Sequence, residues 1–71
     1  MFEFYGYLIS VLRFGEGLLL RLHEDEEDTE PLEYYTPSRD PYCAAALLKT
    51  DLDLMSESEI IQLGELIDAN L

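Results

Sequence analysis

The chain has 71 residues and a mass of 8.2 kDa, which is too short for two ordinary domains. Four basic residues stand against sixteen acidic ones, and the formal net charge is -12. That balance excludes direct binding to nucleic acid and to anionic membranes, because both need a basic surface. Since 48% of the residues are apolar, we expect a single folded domain despite the charge.

The cysteine count and the N-terminus bear on the compartment. Cys43 is the only cysteine in the sequence, whereas secreted domains of this size usually carry several disulfides. The first residues lack the positive segment and cleavage site of a signal peptide. The apolar run from Tyr5 to Leu12 is too short to cross a bilayer. We therefore expect a cytoplasmic protein.

The first third of the chain has the composition of β-strands. Residues 2–14 are rich in aromatic and β-branched side chains at both parities, which predicts one strand that is either central in its sheet or covered on both faces. Within it, Gly6 predicts a bulge or a close backbone approach. The glycines of Gly15-Glu16-Gly17 can adopt the positive φ of a tight turn, so we predict a hairpin over about 2–23.

The middle of the chain is acidic and then rich in proline. Six of the seven residues in 24–30 are acidic, and such runs usually form solvated loops. We predict an acidic loop over 24–31 and a possible third strand over 32–36. Asp40-Pro41 places a capping residue before a proline at the first helical position, which predicts a helix over about 41–49. Cys43 lies in its first turn, where we expect a small buried side chain.

A second helix has a stronger start signal. Ser56 followed by Glu59 fits a capping box, and we predict a helix over about 57–70. The apolar residues that share one face of this helix are Ile60, Leu63, Ile67 and Leu71. The acidic residues on the opposite side are Glu57, Glu65 and Asp68. The sequence thus predicts an α+β fold, with a small antiparallel sheet of two to three strands followed by two C-terminal helices on one face of the sheet.

The net charge is confined to the second two-thirds of the chain. Residues 1–23 hold two acids and two bases, whereas residues 24–71 hold fourteen acids against Arg39 and Lys49. Alternate residues of an extended segment lie ~7 Å apart and helical neighbours ~5–6 Å apart, close to the phosphate spacing along DNA. A folded array of carboxylates can therefore occupy a groove built for phosphates. The candidate partner-binding residues are Glu24, Asp25, Glu26, Glu27, Asp28, Glu30, Glu33, Asp51, Asp53, Glu57, Glu65 and Asp68.

With Glu59, these residues carry a resemblance of size and charge over 24–71 to small acidic phage proteins that mimic DNA. That group includes some anti-CRISPR proteins and inhibitors of restriction or repair enzymes, and it has no shared motif from which individual residues can be transferred. The resemblance implies a non-enzymatic inhibitor in a bacterial host cell. Its partner would be a basic DNA-binding protein or a CRISPR effector complex, where it could occupy the protospacer-adjacent-motif site. We expect it to act as a monomer.

An alternative function belongs to a different class. The chain could be an intracellular interaction module, such as an adaptor or an antitoxin-like partner, whose acidity serves only solubility. Such a module would bind through an apolar helix face or an exposed strand edge.

Metal and catalytic sites have little support in the sequence. Asp51-Leu52-Asp53 opens like a calcium-binding loop, but the later ligand and glycine positions hold Met55, Ser56 and Gln62. One histidine, His23, and one cysteine do not make a zinc set. A chain of this length also has little room for a substrate cleft of ~300 Å³ or more. We expect no metal, no cofactor and no enzymatic activity.

Overall fold

The computed structural model describes residues 1–25, 27 and 29–71. The elements are β1 (Phe2–Phe4), β2 (Tyr7–Phe14), β3 (Gly17–His23), β4 (Leu32–Thr36), α1 (Pro41–Leu47) and α2 (Glu57–Ala69). The strands form one antiparallel sheet in chain order. The α+β class, the antiparallel sheet and the two C-terminal helices are confirmed, but the sheet has four strands where two to three were predicted.

The additional strand arises because residues 2–14 form two strands. Tyr5 and Gly6 have φ values of 52° and 83°, and they make a two-residue turn between Phe4 and Tyr7, which pair with each other. Positive φ at both turn residues defines the type I′ turn, whose twist matches that of the flanking strands. Gly6 is the second residue of this turn, so the predicted bulge is wrong, and a Cβ at Gly6 would meet nothing within 4 Å, so the predicted close backbone approach is wrong too.

The predicted hairpin at Gly15 is confirmed as the β2–β3 connection. Phe14 pairs with Gly17, and Gly15 has a φ of 59°, as the first residue of a type II′ turn requires. Gly17 belongs to β3, where glycine is needed for a different reason. A Cβ at Gly17 would lie 1.8 Å from the backbone oxygen of Thr36, so the missing side chain allows β3 and β4 to approach.

One face of the sheet carries the core. Ile9, Leu18, Leu20 and Leu22 have at most 4% of their surface exposed, and the strand register places them on the same side. The residues that pack over them from the helices and the inter-helix segment are Ala44, Ala45, Leu48, Leu52, Leu54, Leu63 and Ile67. The helices therefore lie on one face of the sheet, as the sequence predicts.

The other face of the sheet, here called the open face, points away from both helices. The register assigns to it Glu3, Leu8, Ser10, Leu12, Phe14, Leu19, Arg21, His23, Glu33 and Tyr35. None of these side chains belongs to the core, and Phe14 and Tyr35 are 56% and 50% exposed. Of the two alternatives predicted for residues 2–14, a central position fits β2, which lies between β1 and β3, whereas cover on both faces is wrong because the helices cover only one of them.

Both predicted helix caps are confirmed. Asp40 Oδ1 accepts a hydrogen bond of 2.9 Å from the backbone N–H of Tyr42, with Pro41 at the start of α1. Ser56 Oγ accepts one of 3.4 Å from the backbone N–H of Glu59. These contacts satisfy amides that have no partner within the helix.

Some details of the helices differ from the prediction. The first helix ends at Leu47, and Cys43 is exposed because Ala44 and Ala45 make the buried contacts of α1. Leu71 lies beyond the end of α2 and is 39% exposed, so it does not share the buried face. No helix of the described residues is long and apolar enough to cross a membrane.

Candidate partner-binding surface

The acidic loop leaves the sheet at the end of β3. Glu24, Asp25, Glu27 and Glu30 are exposed, and Asp25 Oδ1 accepts a 2.8 Å hydrogen bond from the backbone N–H of Glu27. Two further predicted site residues, Glu26 and Asp28, lie outside the described residues.

A cleft forms where this loop, the sheet and the inter-helix segment meet. It has a volume of about 330 Å³ and is lined by Tyr7, Leu22, Glu24, Glu30, Leu32 and Asp51. Glu24 and Glu30 belong to the acidic loop, whereas Asp51 belongs to the segment between the helices. The fold thus brings carboxylates from two separate parts of the chain to one place, called here the acidic cleft.

The apolar lining of the acidic cleft adds a second property. Leu22 is part of the core and only 4% exposed, whereas Leu32 is 54% exposed. Tyr7 packs against the core and is half-buried. Lysine and arginine bury their aliphatic stems on apolar surface and keep their charged ends with carboxylates. A cationic side chain from a partner therefore suits this cleft in both shape and charge.

Asp51 is held in place by β4. The hydroxyl of Tyr34 donates a hydrogen bond to Asp51 Oδ2. Because this bond to a carboxylate favours the protonated phenol, it raises the pKa of Tyr34 to about 12. The bond joins the sheet to the segment between the helices and fixes one acidic wall of the cleft.

The segment between the helices turns its acids outward. Leu52 and Leu54 are 6% and 3% exposed and belong to the core, whereas Asp51 and Asp53 are exposed. The backbone N–H groups of Leu52 and Leu54 bond to the carbonyls of the preceding turn. Buried leucines therefore alternate with exposed aspartates, which anchors the carboxylates close to the protein surface.

The acids of α2 form a separate group. Glu57, Glu65 and Asp68 are exposed, as predicted, and among the described residues none of them lines the acidic cleft. Glu59 has a structural contact, because it accepts a 3.1 Å hydrogen bond from Ser56 Oγ. Hydrogen bonding to Glu59 raises the pKa of Tyr5.

Glu33 lies away from the acidic cleft. It is on the open face, where Arg21 Nε donates a 3.1 Å hydrogen bond to Glu33 Oε2 in an exposed ion pair. Its neighbour Tyr34 points to the other side of the sheet, toward Asp51. The sheet therefore separates Glu33 from the acids with which the sequence grouped it.

The structure bears on the other sites that the sequence raised. Among the described residues, no group of three or more His, Cys, Asp or Glu side chains is arranged to hold a metal ion. His23 is half-buried on the open face, with its Nε2 3.4 Å from Ser10 Oγ. The cleft of about 330 Å³ shows that the expected lack of room was wrong, so chain length does not itself exclude a bound small molecule.

Sequence reasoning missed the residues that support the cleft. The tyrosines Tyr7 and Tyr34 were predicted either to pack in strands or to lie at an interface, without a link to the acids. In the structure Tyr34 positions Asp51, and Tyr7, Leu22 and Leu32 supply the apolar lining. Part of this arrangement could have been predicted, because side chains alternate along β4 and Leu32 and Tyr34 therefore lie on the helix side of the sheet.

The chain was also compared with known proteins. No model of a protein family matches it, and neither the curated proteins nor the solved structures gave a significant match.

Proposed function

We propose that this protein is a non-enzymatic inhibitor that presents carboxylates in place of DNA phosphates. Its partner is a basic DNA-binding protein in the cytoplasm of a bacterial cell, such as a CRISPR effector complex, and the inhibitor excludes DNA by occupying the same groove. The observation that supports this function most is the acidic cleft, where Glu24, Glu30 and Asp51 converge on a folded scaffold.

The charge distribution supports the proposal further. The chain carries twelve more acids than bases, and the exposed acids of α2 extend the negative surface beyond the cleft. A concentrated negative field draws a basic groove into rapid encounter, and this effect weakens as salt screens the charges. Carboxylates on a folded scaffold also lose less conformational entropy on binding than those of a flexible tail.

The experiment is a competition assay across a salt series. A labelled target duplex bound to a candidate effector complex is challenged with the protein between about 50 and 300 mM salt. DNA binding weakens with salt as well, so the direct affinity of the protein for the DNA-free complex is measured in parallel. The proposal predicts displacement of DNA and a direct affinity that falls steeply with salt. An affinity that stays flat across the series would rule out binding through charge.

The interaction-module alternative keeps one structural argument in its favour, namely the open face with its exposed Phe14 and Tyr35. The apolar face of α2 does not serve such a module, because Leu63 and Ile67 are fully buried in the core. The double variant Glu24→Gln with Glu30→Gln separates the two functions. Inhibition through the acidic cleft predicts a large loss of binding, whereas the alternative predicts little change. A thermal melt of the variant checks that its fold is intact.

A further inference from the structure

We propose that the acidic cleft is a pocket for a single arginine side chain, which it prefers over lysine. This role rests on the proposed inhibitor function, because the basic groove of the partner would supply the arginine. The chemical group that the cleft would recognise is a planar guanidinium at the end of an apolar stem.

The floor of the acidic cleft is apolar and comes from three neighbouring strands. Leu22 of β3 pairs with Leu32 of β4. On the β2 side Leu22 pairs with Ile9, and Tyr7 lies two residues before Ile9 on the same face of the sheet. Tyr7, Leu22 and Leu32 all line the cleft. The strand register therefore gathers one aromatic ring and two leucine side chains around a single cavity.

Carboxylates from two parts of the chain surround this floor. Glu24 and Glu30 come from the acidic loop, and Asp51 comes from the segment between the helices. Asp51 Oδ2 accepts the bond from Tyr34, but a carboxylate has about four acceptor positions, so Asp51 can also accept from a ligand. An apolar floor with acidic walls suits a side chain that is apolar along its stem and cationic at its end.

The size of the cleft limits what it can hold. Its volume of about 330 Å³ lies at the lower end of the ~300–1,000 Å³ that is usual for ligand pockets. That space suits one long side chain better than a folded segment of a partner.

Arginine matches this lining better than lysine does. Its planar fork carries five N–H donors and can serve carboxylates that lie in different directions, whereas lysine is a point charge with three donors. A guanidinium is also more weakly hydrated than an ammonium, so it loses less when it lies against Leu22 and Leu32. It stacks on aromatic rings, and the half-buried Tyr7 supplies one in the cleft.

The test is a titration of the full chain followed by amide NMR spectra. The probes are Nα-acetyl-arginine amide, its lysine analogue of the same charge, and its neutral citrulline analogue, which keeps the shape of arginine. At about 20 mM salt, the arginine probe should shift the signals of Leu22 and Leu32 with a dissociation constant on the order of 1–10 mM. The lysine probe should bind about threefold more weakly or worse, and the citrulline probe about tenfold more weakly or worse.

Charge variants locate the pocket. Asp51→Asn keeps an acceptor for Tyr34 but removes a charge, so it should weaken binding of the arginine probe about threefold or more. Asp53→Asn makes the same change of net charge at an exposed aspartate that is not among the described residues lining the cleft, and it should change the affinity less than about twofold. Asparagine tolerates the positive φ of Asp53. If Asp51→Asn does not fold, Glu30→Gln in the acidic loop takes its place.

The aromatic wall has its own variant. Tyr7→Leu keeps an apolar side chain but removes the ring, so it should reduce the preference for the arginine probe over the lysine probe to less than about twofold. A thermal melt checks that this variant folds.

Several results would overturn the pocket. These are no shift with about 50 mM arginine probe, equal affinities for the arginine and lysine probes, shifts spread over the acidic surface instead of the cleft, and equal losses from the cleft variant and Asp53→Asn. The inhibitor function could survive each of them, because an array of carboxylates can block a groove without selecting one side chain. Arginine binding without displacement of DNA would instead keep the pocket and reject the inhibitor function.

Discussion

The Tyr34 hydroxyl holds Asp51 at the acidic cleft, and its removal by Tyr34→Phe tests that link. A hydrogen bond to a charged group contributes up to ~1.5–3 kcal/mol, but Asp51 is exposed and solvent screening lowers the value. We expect a loss of about 1 kcal/mol in the free energy of unfolding. For a domain of this size, that corresponds to a fall of roughly 4–8 °C in melting temperature, measured by circular dichroism.

The matched control is Tyr35→Phe, the next residue of β4. Its side chain lies on the open face, where the ring packs edge-on against Phe14, and that ring is kept in the variant. We expect a change of less than about 0.5 kcal/mol, as for an ordinary surface substitution. If the two variants destabilise the protein equally, the bond to Asp51 does not stabilise the fold in the way described.

The pH dependence gives an independent check on the same bond. The pKa of Tyr34 rises from 10.0 to about 12 on folding, so the folded state retains the phenolic proton to a higher pH than the unfolded state. The stabilisation is therefore complete below pH 10 and is lost as the pH rises to 12. The advantage of the wild type over Tyr34→Phe should follow this course in urea titrations. An advantage that persists above pH 12 would contradict the assignment.

Further predictions concern three glycines of the scaffold and the net charge. A Cβ at Gly64 would lie 2.4 Å from Cδ1 of Tyr42, so Gly64→Ala should destabilise by ~1–3 kcal/mol in urea titrations. In a Tyr42→Ala background the same change should stabilise by up to ~1 kcal/mol through helix propensity, and equal effects in both backgrounds would refute the contact. Gly17→Ala should destabilise by about 3 kcal/mol or more, because its Cβ meets the backbone of Thr36. In Gly6→Ala the new Cβ meets open space, so this variant should lose only ~1–2 kcal/mol through backbone strain. Thermal melts should therefore show a larger loss for Gly17→Ala than for Gly6→Ala, and the opposite order would contradict the close approach of Gly17 to Thr36. The charge of -12 predicts that the melting temperature rises between about 20 and 200 mM salt, and a fall would show that self-repulsion is not the dominant charge effect.

The elements that the sequence predicted correctly are those with short-range causes. Asp40 caps the amide of Tyr42 and Ser56 caps that of Glu59, and both contacts span only two or three residues. Gly15 supplies the positive φ of its own turn. In each case the interacting groups are near neighbours in the chain, so residue type and spacing contain the information.

The β1–β2 turn was missed because one of its two residues is unusual. Tyr5 adopts a positive φ, which is uncommon outside glycine, asparagine and aspartate, and apolar residues on both sides hide the break. Gly6 was the one visible signal. The turn resets the alternation, so that Phe4 and Ile9 lie on the same face of the sheet even though they are an odd number of residues apart.

The candidate site could be predicted only in part. Helical periodicity correctly predicted that Glu57, Glu65 and Asp68 are exposed. No local sequence pattern predicts that Asp51 lies close to the acidic loop. That meeting depends on how the helix pair packs over the sheet. Glu33 was grouped with the other acids by its position in the sequence, although the alternation of β4 places it on the opposite face.

The central claim is that the position of the carboxylates matters in addition to their number. It is tested most directly by inhibition constants in the DNA competition assay for two double variants. Glu24→Gln with Glu30→Gln, and Glu3→Gln with Glu16→Gln, each change the net charge from -12 to -10. Each cleft carboxylate is expected to contribute about 0.5–1 kcal/mol to binding. The Glu24/Glu30 double variant should therefore weaken inhibition roughly 5- to 30-fold, and the Glu3/Glu16 double variant less than about threefold. Equal losses from the two pairs would show that only total charge acts, and would contradict a binding surface at the acidic cleft.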